Sequence, residues 1–522
     1  MTEPSFISLI PPLLTLLMII ITRRVILSLG AGIVIGGLIL NDWSVVSTID
    51  QITETAVSLF YVDGAVNDWE FFIMLFLLFL GMMAALITFS GGSRAFGEWA
   101  LSKVKTRIGA QLATLVFGIL VFIDDYFNSL TVGQVSRPLT DRHKVSRAKL
   151  AYIVDSAAAP ICVIAPLSSW GAYIITIIAG ILADHGLGQY GALEAFIYMI
   201  PMNFYALTAI LFVFLVIVWK LNFGPMRTHE SKAIQKGVLF DSSRGAIPGD
   251  HKTDINEGKG SVIDLLLPIA VLIVSTVVFM IITGIQGTEG EATALTVFAE
   301  TDVASSLVYG GLIGLGTALL LTVRKKPSVK GVLSTLGKGI QSMLPAIYIL
   351  IFAWTMVTVI DGLGTGEYLA GVLDGTVPAY WLPALLFLLA GFMAFSTGTS
   401  WGTFILLLPI AGEIAAALDI TMMLPVLAAV LAGAIFGDHC SPISDTTILS
   451  STGAGSHHID HVLTQLPYAL VVAAVSFLGY LVLGLTGSTL LGLTVSIVLL
   501  ILAALMLRGF IKPIESGSES SI

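Results

Sequence analysis

Charge is what this chain has least of: Asp, Glu, Lys and Arg together make up 11% of its 522 residues, roughly half the share of an ordinary soluble domain. A soluble globular fold is thereby excluded. Cysteine is scarce as well. Cys162 and Cys440 are the two present and neither has a CxxC neighbour, so a disulfide framework and a zinc or redox motif are both ruled out, and buried packing is their expected role. No Lys or Arg precedes the first apolar run, while Arg23 and Arg24 follow it. That is the reverse of a secretory signal peptide, so residues 6–22 are expected to be retained as a first helix. Strand-like alternation is missing too. The net charge of −9 says little about partners, because topology follows the placement of Lys and Arg rather than the total.

What fills the chain is apolar sequence, 56% of its residues. The runs 6–22, 70–90, 195–219 and 488–508 are each long enough to cross about 30 Å of hydrocarbon as a helix. The expected fold is an all-α polytopic membrane protein in a lipid bilayer. Lys and Arg concentrate in cytoplasmic loops, which assigns Arg23–Arg24, 94–107, 137–149, 220–259, 324–330 and Arg508 with Lys512 to the cytoplasm. Residues 42–70, 289–302 and 361–374 carry acids and no Lys or Arg, and so are placed outside.

One stretch resists simple alternation: residues 109–136 lie between two basic loops and must enter and leave by the same side. A re-entrant hairpin does this, with the polar run Asp124–Ser129 at its tip. Residues 378–417, flanked by acidic loops and broken by Ser396–Gly402, are read as the same device entering from outside. Two inverted-topology repeats follow. An N-terminal repeat over 1–219 holds the hairpin at 109–136 and an interrupted helix at 150–183. A cytoplasmic linker over 220–260 leads to a C-terminal inverted repeat over 261–486, with a hairpin at 378–417 and an interrupted helix at 422–455. Residues 487–522 add one helix and a tail. An echo accompanies this plan: Pro160-Ile161 with Leu167–Ala172 matches Pro442-Ile443 with Leu449–Ala454 at an offset of 282. Ser129 also precedes Pro138 by nine residues, as Ser400 precedes Pro409. Matching interrupted helices in inverted repeats are the best sequence pointer to a transporter's binding site.

Non-helical backbone at membrane depth survives only when buried in protein or lining a polar cavity, so the four interruptions are expected to meet. They carry hard oxygen ligands suited to a small cation: Asn128, Ser129 and Thr131; Ser168 and Ser169; Thr397, Thr399 and Ser400; Ser441, Ser444, Thr446, Thr447 and Ser450. Carboxylates cost on the order of 3 kcal/mol each at a helix centre, yet Asp124, Asp125, Asp155, Asp438 and Asp445 all fall here. Adjacent helical residues do not share a face, so one of Asp124 and Asp125 is expected to face the site while the other caps or pairs. Buried carboxylates that crowd each other hold protons more tightly, which lets Na+ and H+ compete for them. Such competition is antiport in its smallest form. Asp438 and Asp445 are the first choices for carrying it, with Na+ and H+ as coupling ions and no further cofactor.

Plainer roles compete for several residues. Any single Ser in a membrane helix serves packing as readily as binding, and Gly171 and Gly453 suit close helix contact. His439, beside Asp438, fits a proton relay or a satisfied core histidine equally. His457 and His461 are spaced as a helical metal pair, but their position at the membrane edge favours a solvated cap of the following helix. Trp170 and Trp401 are cavity walls or packing anchors. A Ser/His hydrolase lacks a GxSxG elbow, and a channel fits broken, inverted helices less well than alternating access does.

Gly437-Asp438-His439-Cys440-Ser441-Pro442-Ile443-Ser444-Asp445-Thr446-Thr447, together with Phe122–Thr131 and Ser396–Thr403, resembles the NhaC family of sodium/proton antiporters. The resemblance implies a homodimer, a fixed scaffold domain, a mobile transport domain and an elevator motion. It implies a prokaryotic plasma membrane too, with the C-terminus in the cytoplasm by the loop charges. The family looks mixed in substrate. A Na+- or H+-coupled carrier of an amino acid or small carboxylate, of the malate/lactate kind, is therefore the alternative expectation.

Overall fold

A computed structural model describes residues 5–511 except 23, 63, 123, 167, 188–190, 242–259, 289, 291, 366–367 and 369–377, together with residue 514. Its first part runs through α1 (Ile10–Thr22), α2 (Val25–Leu40), α3 (Val45–Ser58), α4 (Glu70–Phe89) and α5 (Gly92–Lys103). Then come α6 (Arg107–Leu120), α7 (Asp125–Arg142), α8 (Arg147–Cys162), α9 (Ser169–Asp184), α10 (Ala192–Met199), α11 (Phe204–Val218) and α12 (Gly224–Lys236). The second part begins with α13 (Ile263–Gly287), α14 (Ala294–Ala299), α15 (Val303–Val323) and α16 (Val329–Gly362). It continues with α17 (Leu382–Thr397), α18 (Ser400–Leu418), α19 (Met423–Cys440), α20 (Asp445–Ala454), α21 (His458–Thr486) and α22 (Thr489–Phe510). Among the described residues the strands amount to one small ribbon, Tyr61–Val62 against Ala65–Val66.

Eight helices among the described residues are long and apolar enough to cross a membrane, and α10 with α11 makes a ninth, bent by 48° at Asn203. The chain is a multi-pass helical membrane protein. By contrast α6, α8 and α9, of 14, 16 and 16 residues, rise only about 21–24 Å each.

Four breaks interrupt the helices, and local chemistry accounts for each. Gly398, at φ +73°, ends α17 in the left-handed conformation that glycine adopts without strain. Pro442 lies in the break after α19 and holds Ser441 before it extended. Pro166 sits in the turn between α8 and α9. Every restart is then capped by a side-chain oxygen: Asp124 accepts from Phe127 N–H at 2.9 Å, Ser168 from Gly171 at 2.8 Å, Thr399 from Gly402 at 3.5 Å and Ser444 from Thr447 at 3.2 Å. A cap of this kind satisfies an orphan donor and is worth about 1 kcal/mol.

These caps correct two expectations. Helix α6 ends at Leu120 and α7 begins at Asp125, so Asp125–Ser129 form the first turns of α7 rather than the tip, and α7 runs on to Arg142. The echo at offset 282 is not the structural register: the caps Asp124 and Thr399 stand 275 positions apart, and Ser168 and Ser444 stand 276 apart. Pro160 accordingly lies inside α8, whereas Pro442 lies in a break.

Two large apolar clusters organise the packing, beside a smaller one of α2, α16, Ile443 and α21. One joins α8, α9, α11, α17, α18, α19 and α21; the other joins α4, α13, α15 and α16 to the inner faces of α7 and α20. Helices α7 and α20 cross closely, since a Cβ on Gly453 would lie 2.5 Å from Ser129 O and one on Gly133 would lie 2.6 Å from Gly453 C. Within the expected linker, α12 is docked by buried Glu230, which accepts from the Arg107 guanidinium and from Ser146 N–H at 2.9 Å. Residues 242–259 of that linker lie outside the described residues.

Candidate functional site

Two cavities flank α7. The first, of about 400 Å³, is walled by Asp124, Asp125 and Tyr126 at the start of α7, Thr399 and Trp401 around the restart into α18, and Asp445 at the head of α20. The second, of about 420 Å³, lies further along α7 and is lined by Thr131, Gln134, Arg137, Asp141 and Arg142, with Arg147 from α8. Asp125 and Thr131 are six residues apart, about 9 Å of helix. A buried polar seam meets α7 between them, at Ser129.

Asp155 of α8 is the centre of that seam. It is fully buried, and it accepts from the Ser450 hydroxyl at 3.0 Å, from the Thr447 hydroxyl at 3.3 Å and from the Gln465 amide, with His461 Nε2 at 3.2 Å. Ser129 stands 3.0 Å from the Ser450 hydroxyl. Nearby, Asp438 accepts from Ser400 at 3.1 Å and from Thr446 at 3.2 Å. Asp445 accepts from the Tyr126 hydroxyl and from Thr446 N–H at 2.8 Å. Asp125 is held by the Trp170 indole N–H at 2.8 Å. All four breaks therefore converge.

Buried polar atoms ordinarily find partners, so the exceptions locate unmet demand. Asp125 Oδ2, Asn128 Oδ1 and Asp438 Oδ1 are buried oxygens with no hydrogen-bond partner, as is the Thr131 hydroxyl. The three carbonyl or carboxylate oxygens are pure acceptors here. A hard cation is the kind of ligand such atoms suit.

Not every expected residue reaches the seam. Asn128 spends its amide group on Gly118 O and Val121 O, both at 2.7 Å, tying the two arms of the first hairpin together. Thr397 donates to Met393 O in its own helix at 2.9 Å, and Ser441 donates to Phe395 O at 2.8 Å. Ser168 and Ser444 are caps. Ser169 starts α9, and its side chain lies outside what the structure describes. Asp124 caps α7 as one of the acid pair was expected to, yet both acids line the cavity. Cys162 and Cys440 are free and buried.

The histidine run requires correction. His458 and His461 are not a solvated cap: both are buried, His458 Nε2 lies 2.7 Å from Pro442 O, and His461 faces Asp155. His457 instead meets Asp241 O at 2.9 Å, so the two spaced histidines serve different partners. His439 Nδ1 lies 3.0 Å from the Tyr205 hydroxyl. Sequence reasoning passed over Tyr126 and Gln465 and read His461 only as part of a solvated cap. The signal for the last two was a His and a Gln four residues apart, on one face of an otherwise apolar helix.

The sequence profile of the Na+/H+ antiporter family matches residues 161–485, a stretch containing three of the four breaks. A Haemophilus influenzae protein of no assigned function is 48% identical over 500 residues, 95% of this chain and 94% of its own length. A malate-2H+/Na+-lactate antiporter of Bacillus subtilis is 30% identical over 202 residues, covering 37% of this chain and 40% of that one. The arginine/ornithine antiporter ArcD of Halobacterium salinarum is 32% identical over 160 residues, 30% of each chain.

Proposed function

This chain belongs to the Na+/H+ antiporter family, and on that footing we propose that it is an NhaC-type antiporter exchanging Na+ for H+ across a prokaryotic plasma membrane. One observation carries the reading: acceptor oxygens of Asp125 and Asp438 stand buried and unpartnered where all four helix breaks meet. Na+ binds among these oxygens and those of Asp445, Ser400 and Thr446, and a proton replaces it when it leaves. Competition for the same carboxylates couples the two fluxes, since the site changes sides with either ion but not with bare charge.

The acidic cavity opens outward and the basic cavity opens toward the cytoplasm, following the distribution of Lys and Arg. The hairpins and interrupted helices move as one body past a scaffold of α4, α13, α15 and α16, in an elevator motion within a homodimer. Two inverted repeats of one plan underlie this division. The apolar face that α7 and α20 share with those four helices supports it, as the surface along which such a body slides.

A second reading is a Na+- or H+-coupled carrier of an amino acid or small carboxylate. The size of the acidic cavity, about 400 Å³, favours it, being far larger than one ion requires. Purified protein in proteoliposomes, given Na+ and pH gradients with and without organic solutes, decides. Na+-driven proton movement without any solute is expected; proton movement that appears only when a solute is added overturns the antiport reading in favour of the second.

A further inference from the structure

The acidic cavity has more in it than a cation site uses. Four carboxylates line it, from Glu70, Asp124, Asp125 and Asp445, and its lining contains no Lys, Arg or His among the described residues. Two aromatic pairs face the same space: Trp69 with Tyr126, ring centroids 6.1 Å apart, and Tyr173 with Trp401, 5.1 Å apart. Asp125 is 1% exposed, lines the cavity and leaves Oδ2 without a partner. A volume of about 400 Å³ lies in the range of small-molecule pockets, roughly 300–1,000 Å³.

From this juxtaposition we propose that the acidic cavity binds an organic ammonium ion, a protonated amine on an apolar body without a carboxylate, in competition with Na+. The ammonium group lies against Asp125 and Asp445, and the apolar body lies between the two aromatic pairs. Aromatic faces attract cations within about 6 Å of the ring centroid, more strongly once water is displaced. A carboxylate finds no such welcome. The positive ends of α7 and α20 are already answered by Asp124 and Asp445 at those helix starts; the start of α18, capped by Thr399, is the one left to face four carboxylates, and no basic side chain lines the space among the described residues. The inference rests on the transport reading by naming a ligand class for the same site, and it selects against both solutes of the second reading, since an amino acid carries a carboxylate too.

Phenethylamine, phenethyl alcohol and 3-phenylpropionate share one apolar body and differ in head group. Each is added to the purified full chain, with thermal unfolding and Na+-dependent proton flux in proteoliposomes as readouts. The amine is expected to raise Tm and to inhibit flux competitively, raising the KM for Na+ at constant Vmax, while the alcohol and the acid do neither. Trp401→Ala is expected to raise the amine's inhibition constant, relative to the Na+ KM of the same variant, by about tenfold. Trp401→Phe, which keeps an aromatic face, should hold that ratio within about threefold. An inert amine beside normal Na+/H+ flux overturns the proposal and leaves antiport standing. Equal effects of the alcohol or acid, or a Trp401→Ala ratio equal to that of the parent, overturn it as well. A Tm shift by the amine alone, in protein without Na+/H+ flux, sustains the proposal while the antiport reading falls.

Discussion

Asp155 on α8 and Ser450 on α20, 295 residues apart in the chain, meet at 3.0 Å in the buried seam. The contact joins the two halves of the molecule through a carboxylate, and His461 and Gln465 reach the same group from α21. A charge so placed is costly unless fully partnered.

Asp155→Ala is expected to be severely destabilising, because it removes the buried acceptor that the Ser450, Thr447 and Gln465 donors share. Losing the partner of a buried polar group costs about 1–3 kcal/mol per group. Thermal unfolding of the purified variant checks this; a Tm equal to that of the parent contradicts the role given to Asp155.

Substitution of the acids nearer the cavity should act on binding more than on folding. Asp438→Asn and Asp445→Asn are expected to raise the KM for Na+ at least tenfold. Ser400→Ala removes one hydrogen bond to Asp438, about 1 kcal/mol, and should raise it about fivefold. Initial rates of Na+-dependent proton flux across a Na+ series measure all three.

The crossing of α7 and α20 gives a packing test. Gly453→Ala places a methyl 2.5 Å from Ser129 O, and such overpacking costs about 1–3 kcal/mol. Gly316→Ala, inside α15 where a Cβ meets nothing within 4 Å, should be neutral or stabilising by up to about 1 kcal/mol. Their Tm values are expected to move in opposite directions or at least to differ clearly.

Glu230→Gln keeps the shape of the α12 anchor but removes the charge that answers Arg107. A loss of about 2 kcal/mol is expected, read as a lower Tm. Faster proteolysis within 220–260 should accompany it if α12 is released.

Much of this arrangement was legible in the residues because hydrocarbon permits few solutions. The apolar runs 70–90, 195–219 and 488–508 marked spanning helices, whereas 6–22 folds as a short turn and a 13-residue helix below spanning length; Gly398 and Pro442 marked two breaks through backbone chemistry. Clustered Ser, Thr and Asp marked the meeting place. What stayed hidden depended on packing between distant segments. The run His457–His461 before an apolar helix has the pattern of a wet helix start, and only the seating of α21 beside Asp155 makes it dry. Tyr126 has the pattern of a packing aromatic, and only the approach of α20 turns its hydroxyl onto Asp445. Register between the halves was beyond a short echo, since small residues match by chance more easily than caps do.

The central claim, that Na+ and H+ contend for the carboxylates where the breaks meet, is tested most directly by adding Na+ to the purified protein in weak buffer and recording the pH. The account predicts saturable proton release that fades as the starting pH is raised and the site begins unprotonated, and that is lost in Asp438→Asn combined with Asp445→Asn. Na+ binding without proton release, or undiminished release in Asn variants of Asp124, Asp125, Asp155, Asp438 and Asp445 alike, contradicts it.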